Sequence, residues 1–306
     1  MRNNHLIFLF GPTGVGKTAL LEQLFADGFQ VVNADSKQIY RYLDIGSAKP
    51  SVELMRHIPH HLIDIRDPWE QFSVGEFVKL ADNACESIRS AGKIPVICGG
   101  TAYYFKHFYY GLPASPQSDP LVRERIAAQV KEQGLAWCYR KLLEIDPVSA
   151  KRIHPADGYR ITRALEVYET SGFPLSSFSV PTEARDGMRP LIIGLSRDKA
   201  ELDDRIVQRV KDMFKQGLEQ EMAALLSMGA MPEWPGMQGI GYREFFIAKE
   251  HPSMDKEDIS QLIIRNSRMY AKRQMTFFRS LPNVHWVHPD DTATLSSLLD
   301  TFLADH

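Results

Sequence analysis

Short apolar runs alternate with amphipathic stretches over the first hundred residues. Leu6 to Phe10 is uniformly apolar and, with His5, reads as a strand running straight into a glycine-rich loop; a signal peptide would have a longer apolar region and different flanks. A helix is expected from Lys17 to about Phe25, and Gln30–Ala34 reads as a second strand. Ser73 and Glu76 have capping-box spacing and open a helix to about Ala91, and Lys93–Cys98 is a third strand. Strands that alternate with helices pair in parallel through right-handed crossovers.

The texture changes at Gly111–Ser118, where prolines, serines and a glycine cluster. Asp119–Pro120 has the form of an N-cap and first helical residue, and only helical patterns follow to about Gly172. Gly172–Pro174 and Pro181–Pro190 read as loops, Pro190–Leu195 as one more apolar strand, and long helices follow. The expected fold class is α/β: a P-loop NTPase-like parallel sheet core, residues 1–113 and 189–306, interrupted by an all-helical insertion domain at 114–188.

Composition narrows the function classes. With 44% hydrophobic and 24% charged residues, the 306-residue chain is an ordinary globular one that can bury a sizeable core without disulfides or structural metal. Cys85, Cys98 and Cys138 have neither zinc-ligand nor redox spacing. No run approaches the roughly 20 apolar residues that span a membrane, so a reducing cytoplasm is the expected setting. A net charge of −2 excludes a protein that coats nucleic acid through bulk charge, but not a local basic surface.

Gly11-Pro12-Thr13-Gly14-Val15-Gly16-Lys17-Thr18 fits the phosphate-loop pattern without a mismatch, between a strand and a helix as that pattern requires. Backbone N–H groups and the helix N-terminus would cradle a diphosphate through Gly11, Thr13, Gly14 and Gly16. Lys17 would reach the outer phosphates and the Thr18 hydroxyl would hold Mg²⁺, the expected cofactor. An ATPase of this class also wants a strand ending in Asp, yet Val96-Ile97-Cys98-Gly99-Gly100-Thr101 carries no acid. The acid ends a different strand, at Asp35. Strand ends on this side of such a sheet gather at the ligand; by position alone Asp35 is equally a loop hydrogen-bonder and a functional carboxylate.

An ordered series of motifs then accumulates along the chain. Asn33-Ala34-Asp35-Ser36-Lys37-Gln38-Ile39-Tyr40-Arg41 continues into Asp44-Ile45-Gly46-Ser47-Ala48-Lys49-Pro50. Pro59-His60-His61-Leu62-Ile63-Asp64, Gly99-Gly100-Thr101 and Ile153-His154-Pro155 follow. After these come Arg160 to Val167, Gly239-Ile240-Gly241-Tyr242-Arg243-Glu244 and Tyr270-Ala271-Lys272-Arg273-Gln274. With the phosphate loop, this series resembles the tRNA dimethylallyltransferases, also called tRNA isopentenyltransferases, over nearly the whole chain. Ala102-Tyr103-Tyr104 stands where the family commonly has Gly-Leu-Tyr, Ser47 where Thr is usual, and Lys199 at a position that is often Arg.

The resemblance implies transfer of a dimethylallyl group from dimethylallyl diphosphate to N6 of the adenosine 3′ to the anticodon in tRNA, with release of diphosphate. It implies Asp35 as the base for the amine, Thr101 as a group that helps place it, and Arg205 as the diphosphate cation, with Arg197 and Lys199 as competitors. Thr13 would bond near the oxygen that joins diphosphate to the prenyl group. Ser36, Gln38 and Ile39 would line the adenine pocket. Contacts to the tRNA anticodon loop are expected from Arg123, Arg160 and Arg163 of the insertion and from Gln238 and Arg243. Lys272, Arg273, Gln274 and Arg279 would add to these. Residues 265, 268, 272, 276 and 279 share one helical face on which four of the five are cations. A monomer is expected.

Competing readings are a prenyl transferase acting on free AMP or ATP, a P-loop NTPase or kinase, and a nucleotide-responsive RNA-binding module. The helical insertion and the basic C-terminal helix favour tRNA over a free nucleotide, and an NTPase leaves the 33–50 series unexplained. His285 and His288 read as surface groups without further ligands, and His57, His60 and His61 as a structural turn.

Overall fold

The computed structural model describes residues 5–25 and 27–304. The chain divides into two compact units, 110–185 and the remainder, which joins residues before 110 to those after 185.

The larger unit is built on one parallel sheet. Its elements begin with β1 (Ile7–Phe10), α1 (Lys17–Leu24), β2 (Phe29–Asn33), α2 (Val52–His57) and β3 (His60–His61). They continue with α3 (Val74–Ser90), β4 (Ile94–Gly99) and α4 (Ala102–Tyr110). The helical unit holds α5 (Pro120–Gln133), α6 (Leu135–Ile145), α7 (Pro147–Ala150) and α8 (Gly158–Ser171). The chain then returns through β5 (Leu191–Leu195), α9 (Lys199–Gln216), α10 (Leu218–Ser227) and α11 (Arg243–Glu250). It closes with α12 (Lys256–Phe278), β6 (His285–Val287) and α13 (Thr292–Ala304).

The strand order is β3-β2-β4-β1-β5-β6, with every pair parallel. β1 lies between β4 and β5 and is buried along its whole length, which is why Ile-Phe-Leu-Phe reads as a continuous apolar run rather than an alternating one. On one face Ile7 and Leu9 pack with Leu20, Leu21, Phe25, Leu295 and Leu299. On the other, Phe8 meets Phe105 and Phe108 edge-on, and Phe10 stacks on Phe278 with centroids 4.2 Å apart. That stack seats the C-terminal end of α12 against the strand that leads into the phosphate loop.

The local signals act as the sequence suggests. Ser73 and Glu76 form a reciprocal capping box at the start of α3. The Asp119 side chain accepts from Leu121 N, with Pro120 as first residue of α5. The 57–61 segment differs from the expected turn. His60 and His61 form a short strand, because Val31 and Val32 of β2 offer it a parallel edge. β6 is a strand that periodicity does not reveal, since two of its three residues are exposed. In the helical unit, Val122, Ile126, Cys138, Leu142, Ile161 and Leu165 form a separate core.

Candidate active site

The phosphate loop starts where β1 ends. Gly16 caps α1 with φ 112°, a conformation that a Cβ would strain, and so delivers Lys17 as the first helical residue. Lys17 Nζ donates to the carbonyls of Gly11 and Pro12 at 2.9 and 3.1 Å. Desolvation draws its pKa from 10.5 down to about 8, Arg209 pushes the same way, and Cys98 and Asp35 oppose. At neutral pH the group is still mostly an ammonium, held at a desolvation cost that an anion bound beside it would offset.

Around the loop lies a cavity of about 810 Å³. Thr13, Gly14, Gly16, Lys17 and Thr18 line it from the phosphate loop, Asp35, Ser36, Lys37 and Gln38 from the end of β2. Arg205 and Arg209 enter from α9, Gln238 to Gly241 from the segment before α11, Arg243 from the first position of α11, and Tyr270, Arg273 and Gln274 from α12.

Asp35 divides its two oxygens between different settings. Oδ1 accepts the amides of Lys37 at 2.8 Å and Gln38 at 3.4 Å, closing the turn after β2. Oδ2 takes no hydrogen bond among the described residues, and the residue lines the cavity. The approach of β2 to β4 is close enough here that a methyl on Gly99 would lie 2.2 Å from the Ala34 carbonyl oxygen. Thr101 Oγ1 accepts Ser36 N at 2.9 Å, so Thr101 braces the Asp35 turn from β4. Tyr270, whose phenol burial and then the Asp35 charge push upward, donates its hydroxyl to Gly100 O at 3.5 Å. Lys37 falls to about 8 through desolvation, against Asp35.

Four cations at or near α9 are candidates to meet an anion at the phosphate loop, and the geometry separates them. Arg197 is spent: its side chain is 4% exposed, its Nε donates to Val15 O, and Asp290 and Glu201 neutralise its guanidinium. Lys199 is 89% exposed and, among the described residues, pairs only with Asp203. Arg205 lines the cavity and braces the phosphate loop through Nε to Gly14 O at 2.8 Å. Arg209, one helical turn further on, lines the same cavity, and the Asp35 charge supports its ionisation against desolvation. Sequence reading passed over Arg209, although its spacing of four from Arg205 on a helix was a usable signal.

The other expected contact residues fall into different settings. Ile39 does not line the cavity: it is 1% exposed and packs with Tyr40, Leu43, Met222 and Tyr242, as its apolar side chain dictates. Gln274 lines the cavity but is 4% exposed and committed at both ends, accepting Thr13 N at 2.9 Å and donating to Gly100 O at 2.7 Å. Arg163 and Arg123 are drawn to the buried Glu166, Arg163 also to Pro116 O and Arg123 to Ser118. Arg160 is 68% exposed beside Asp157. Lys272 and Arg279 are exposed but outside the cavity, whereas Arg273 lines it. His288 has neighbours after all, Glu201 and Asp290; the Arg197 guanidinium bonds all three, which supplies the cation that their charge calls for.

Residues 38–281 match the family model described as IPP transferase. A tRNA dimethylallyltransferase of Borrelia hermsii is 42% identical over 98% of this chain and 99% of its own. The chain belongs to the tRNA dimethylallyltransferase family. One from Alkaliphilus oremlandii is 38% identical, over 98% of this chain and 96% of its own. A solved tRNA isopentenylpyrophosphate transferase from Bacillus halodurans superposes with a TM-score of 0.67 at 33% identity, covering 99% of this chain and 100% of that one. A eukaryotic dimethylallyltransferase acting on tRNA reaches 0.78 at 24% identity over 99% and 80% of the two chains, a likeness of fold. Members of this tRNA dimethylallyltransferase family are prenyl-transferring enzymes. The family model begins after the phosphate loop and Asp35, whereas the Borrelia hermsii relative is aligned over 98% of the chain. No helix among the described residues is long and apolar enough to cross a membrane.

Proposed function

We infer that this enzyme moves the dimethylallyl group of dimethylallyl diphosphate onto N6 of the adenosine 3′ to the anticodon in tRNA, releasing diphosphate. The observation that carries the reading is that the phosphate loop, Arg205, Arg209 and an oxygen of Asp35 free of hydrogen bonds among the described residues belong to one cavity. The adenine amine attacks the dimethylallyl carbon as its bond to the bridging oxygen breaks. Asp35 Oδ2 accepts the amine proton, and the diphosphate takes the bonding electron pair.

An adenine amine is a weak nucleophile because its lone pair is delocalised into the ring, so a positioned base contributes roughly 10²–10⁴-fold. The leaving diphosphate gains charge, which Lys17, Arg209 and the N-terminus of α1 meet in fixed positions. No three His, Cys, Asp or Glu ligands converge in the cavity among the described residues. Thr18 with diphosphate oxygens and water is a donor set that suits Mg²⁺; a bound Mg²⁺ would neutralise part of the developing charge. Arg160, Arg243, Lys272, Arg273 and Arg279 are exposed or cavity-lining cations suited to RNA phosphates.

The test is incubation with Mg²⁺, labelled dimethylallyl diphosphate and unmodified tRNA, with AMP and ATP in parallel tubes. Label in tRNA alone is the expected result. Label in AMP selects a free-nucleotide enzyme, and phosphate release from ATP without transfer overturns the reading.

A further inference from the structure

The loop that closes one wall of the cavity, residues 42–48, is bent sharply at both ends: Tyr42 and Ala48 adopt φ 67° and 48°, in the left-handed region that side chains disfavour. Such a conformation persists only where its surroundings over-determine it. The main restraint comes from Glu221 of α10. Its Oε2 accepts Asp44 N at 3.0 Å and Ile45 N at 2.7 Å; its Oε1 accepts Gly46 N at 3.0 Å and Tyr242 Oη at 2.7 Å. Four donors fill the acceptor positions of a carboxylate. Tyr242, fully buried, also closes on Gly46, where a methyl group would lie 2.5 Å from its ring.

The next two carbonyls of the loop, Ser47 and Ala48, accept the amide of Gln38 at 3.3 and 3.0 Å. A carbonyl oxygen only accepts, so the Gln38 nitrogen must face the loop. Its oxygen is thereby turned away, an acceptor with no hydrogen bond among the described residues, on a side chain that lines the cavity beside Asp35. An exocyclic amine has two hydrogens. One oxygen of Asp35 and the Gln38 oxygen are two acceptors on lining residues of the cavity, each without a hydrogen bond among the described residues.

We propose that Glu221 is a positioning residue for the acceptor amine: it anchors residues 44–46, and through the 47–48 carbonyls it sets the Gln38 amide with its oxygen toward the base. The proposal rests on the reading that the cavity receives an adenine amine. Glu221 does not line the cavity and shares no hydrogen bond with the phosphate loop among the described residues, so its effect is expected on the tRNA side of the reaction.

The experiment compares wild type with E221Q, which opposes an amide donor to the loop N–H groups, and with Y242F, which removes a single donor. Three quantities are read: kcat/KM for tRNA, the Kd of inorganic diphosphate, and hydrogen exchange at amides 44–46. The expected result is a fall in kcat/KM of about 10- to 100-fold for E221Q and a smaller one for Y242F, faster exchange at 44–46, and an unchanged diphosphate Kd. An unchanged kcat/KM in E221Q overturns the proposal, as does diphosphate affinity falling in step, which marks general loosening. Wild-type protein that transfers nothing to tRNA would instead sink the functional reading, and the exchange rates alone would then decide whether Glu221 holds the loop.

Discussion

Gln274 and Thr13, 261 positions apart, are joined by a 2.9 Å hydrogen bond from the Thr13 amide to the Gln274 carbonyl oxygen. The same side chain donates to Gly100 O, so one residue of α12 ties the phosphate loop to the strand end that carries the Gly-Gly-Thr turn. Replacement by Ala strands a part-buried N–H and a buried C=O, the latter at about 1–3 kcal/mol. Q274A should therefore lower the urea midpoint measurably. Q274E keeps an acceptor for Thr13 but brings negative charge to a diphosphate site; it should weaken diphosphate binding in a titration more than it lowers stability.

Asp35→Asn is the cleanest probe of the chemistry. Asparagine keeps an oxygen for the amides of Lys37 and Gln38, so the turn after β2 survives. Only the proton acceptor is lost. Turnover should fall by roughly 10²–10⁴-fold, with the Kd of dimethylallyl diphosphate unchanged. Near-normal single-turnover rates would remove Asp35 from the base role.

Arg209 and Lys199 make a matched pair of cation deletions on α9. Arg209→Gln removes a cavity cation and should raise the Kd for dimethylallyl diphosphate about 10-fold or more, as loss of a charged hydrogen bond does. Lys199→Gln touches a side chain 89% exposed to solvent and should change neither Kd nor kcat. A reversed ranking would return Lys199 to the site.

Lys17 gives the pH dependence. Its pKa of about 8 lies below the ordinary 10.5, so between those values the unfolded chain holds more protons than the folded one. This group therefore makes stability rise with pH from about 8 to 10.5, with a constant penalty below that window. Binding runs the opposite way, because the anion needs the ammonium. Diphosphate Kd should be flat below about pH 7 and climb as pH passes about 8. K17M should bind weakly with that rise removed, and a rise that persists in K17M would assign it to Lys37, which also sits near 8.

What the sequence carried was whatever lies in contiguous residues: the phosphate loop, the Asp35 turn, the capping box at Ser73 and the parallel core. What it hid was pairing between distant segments. Ile39 and Gln274 sit inside motifs that suggested RNA contact, yet one fills a core and the other spans two loops. Glu221 lies in no motif that stood out, and only the fold sets it against the amides of 44–46. The strand status of His60 depends on an edge supplied by Val31, and that of His285 on Ile193.

The place of β1 at the centre of the sheet has a consequence for biosynthesis. Its β5 partner starts at residue 191, beyond the whole helical unit. Until the ribosome has made that segment, β1 presents one uncovered, wholly apolar edge, the kind that recruits strands from other chains. Products of premature termination inside the insertion would keep that edge permanently, and should be sticky fragments that the cell must clear rather than harmless partial enzymes.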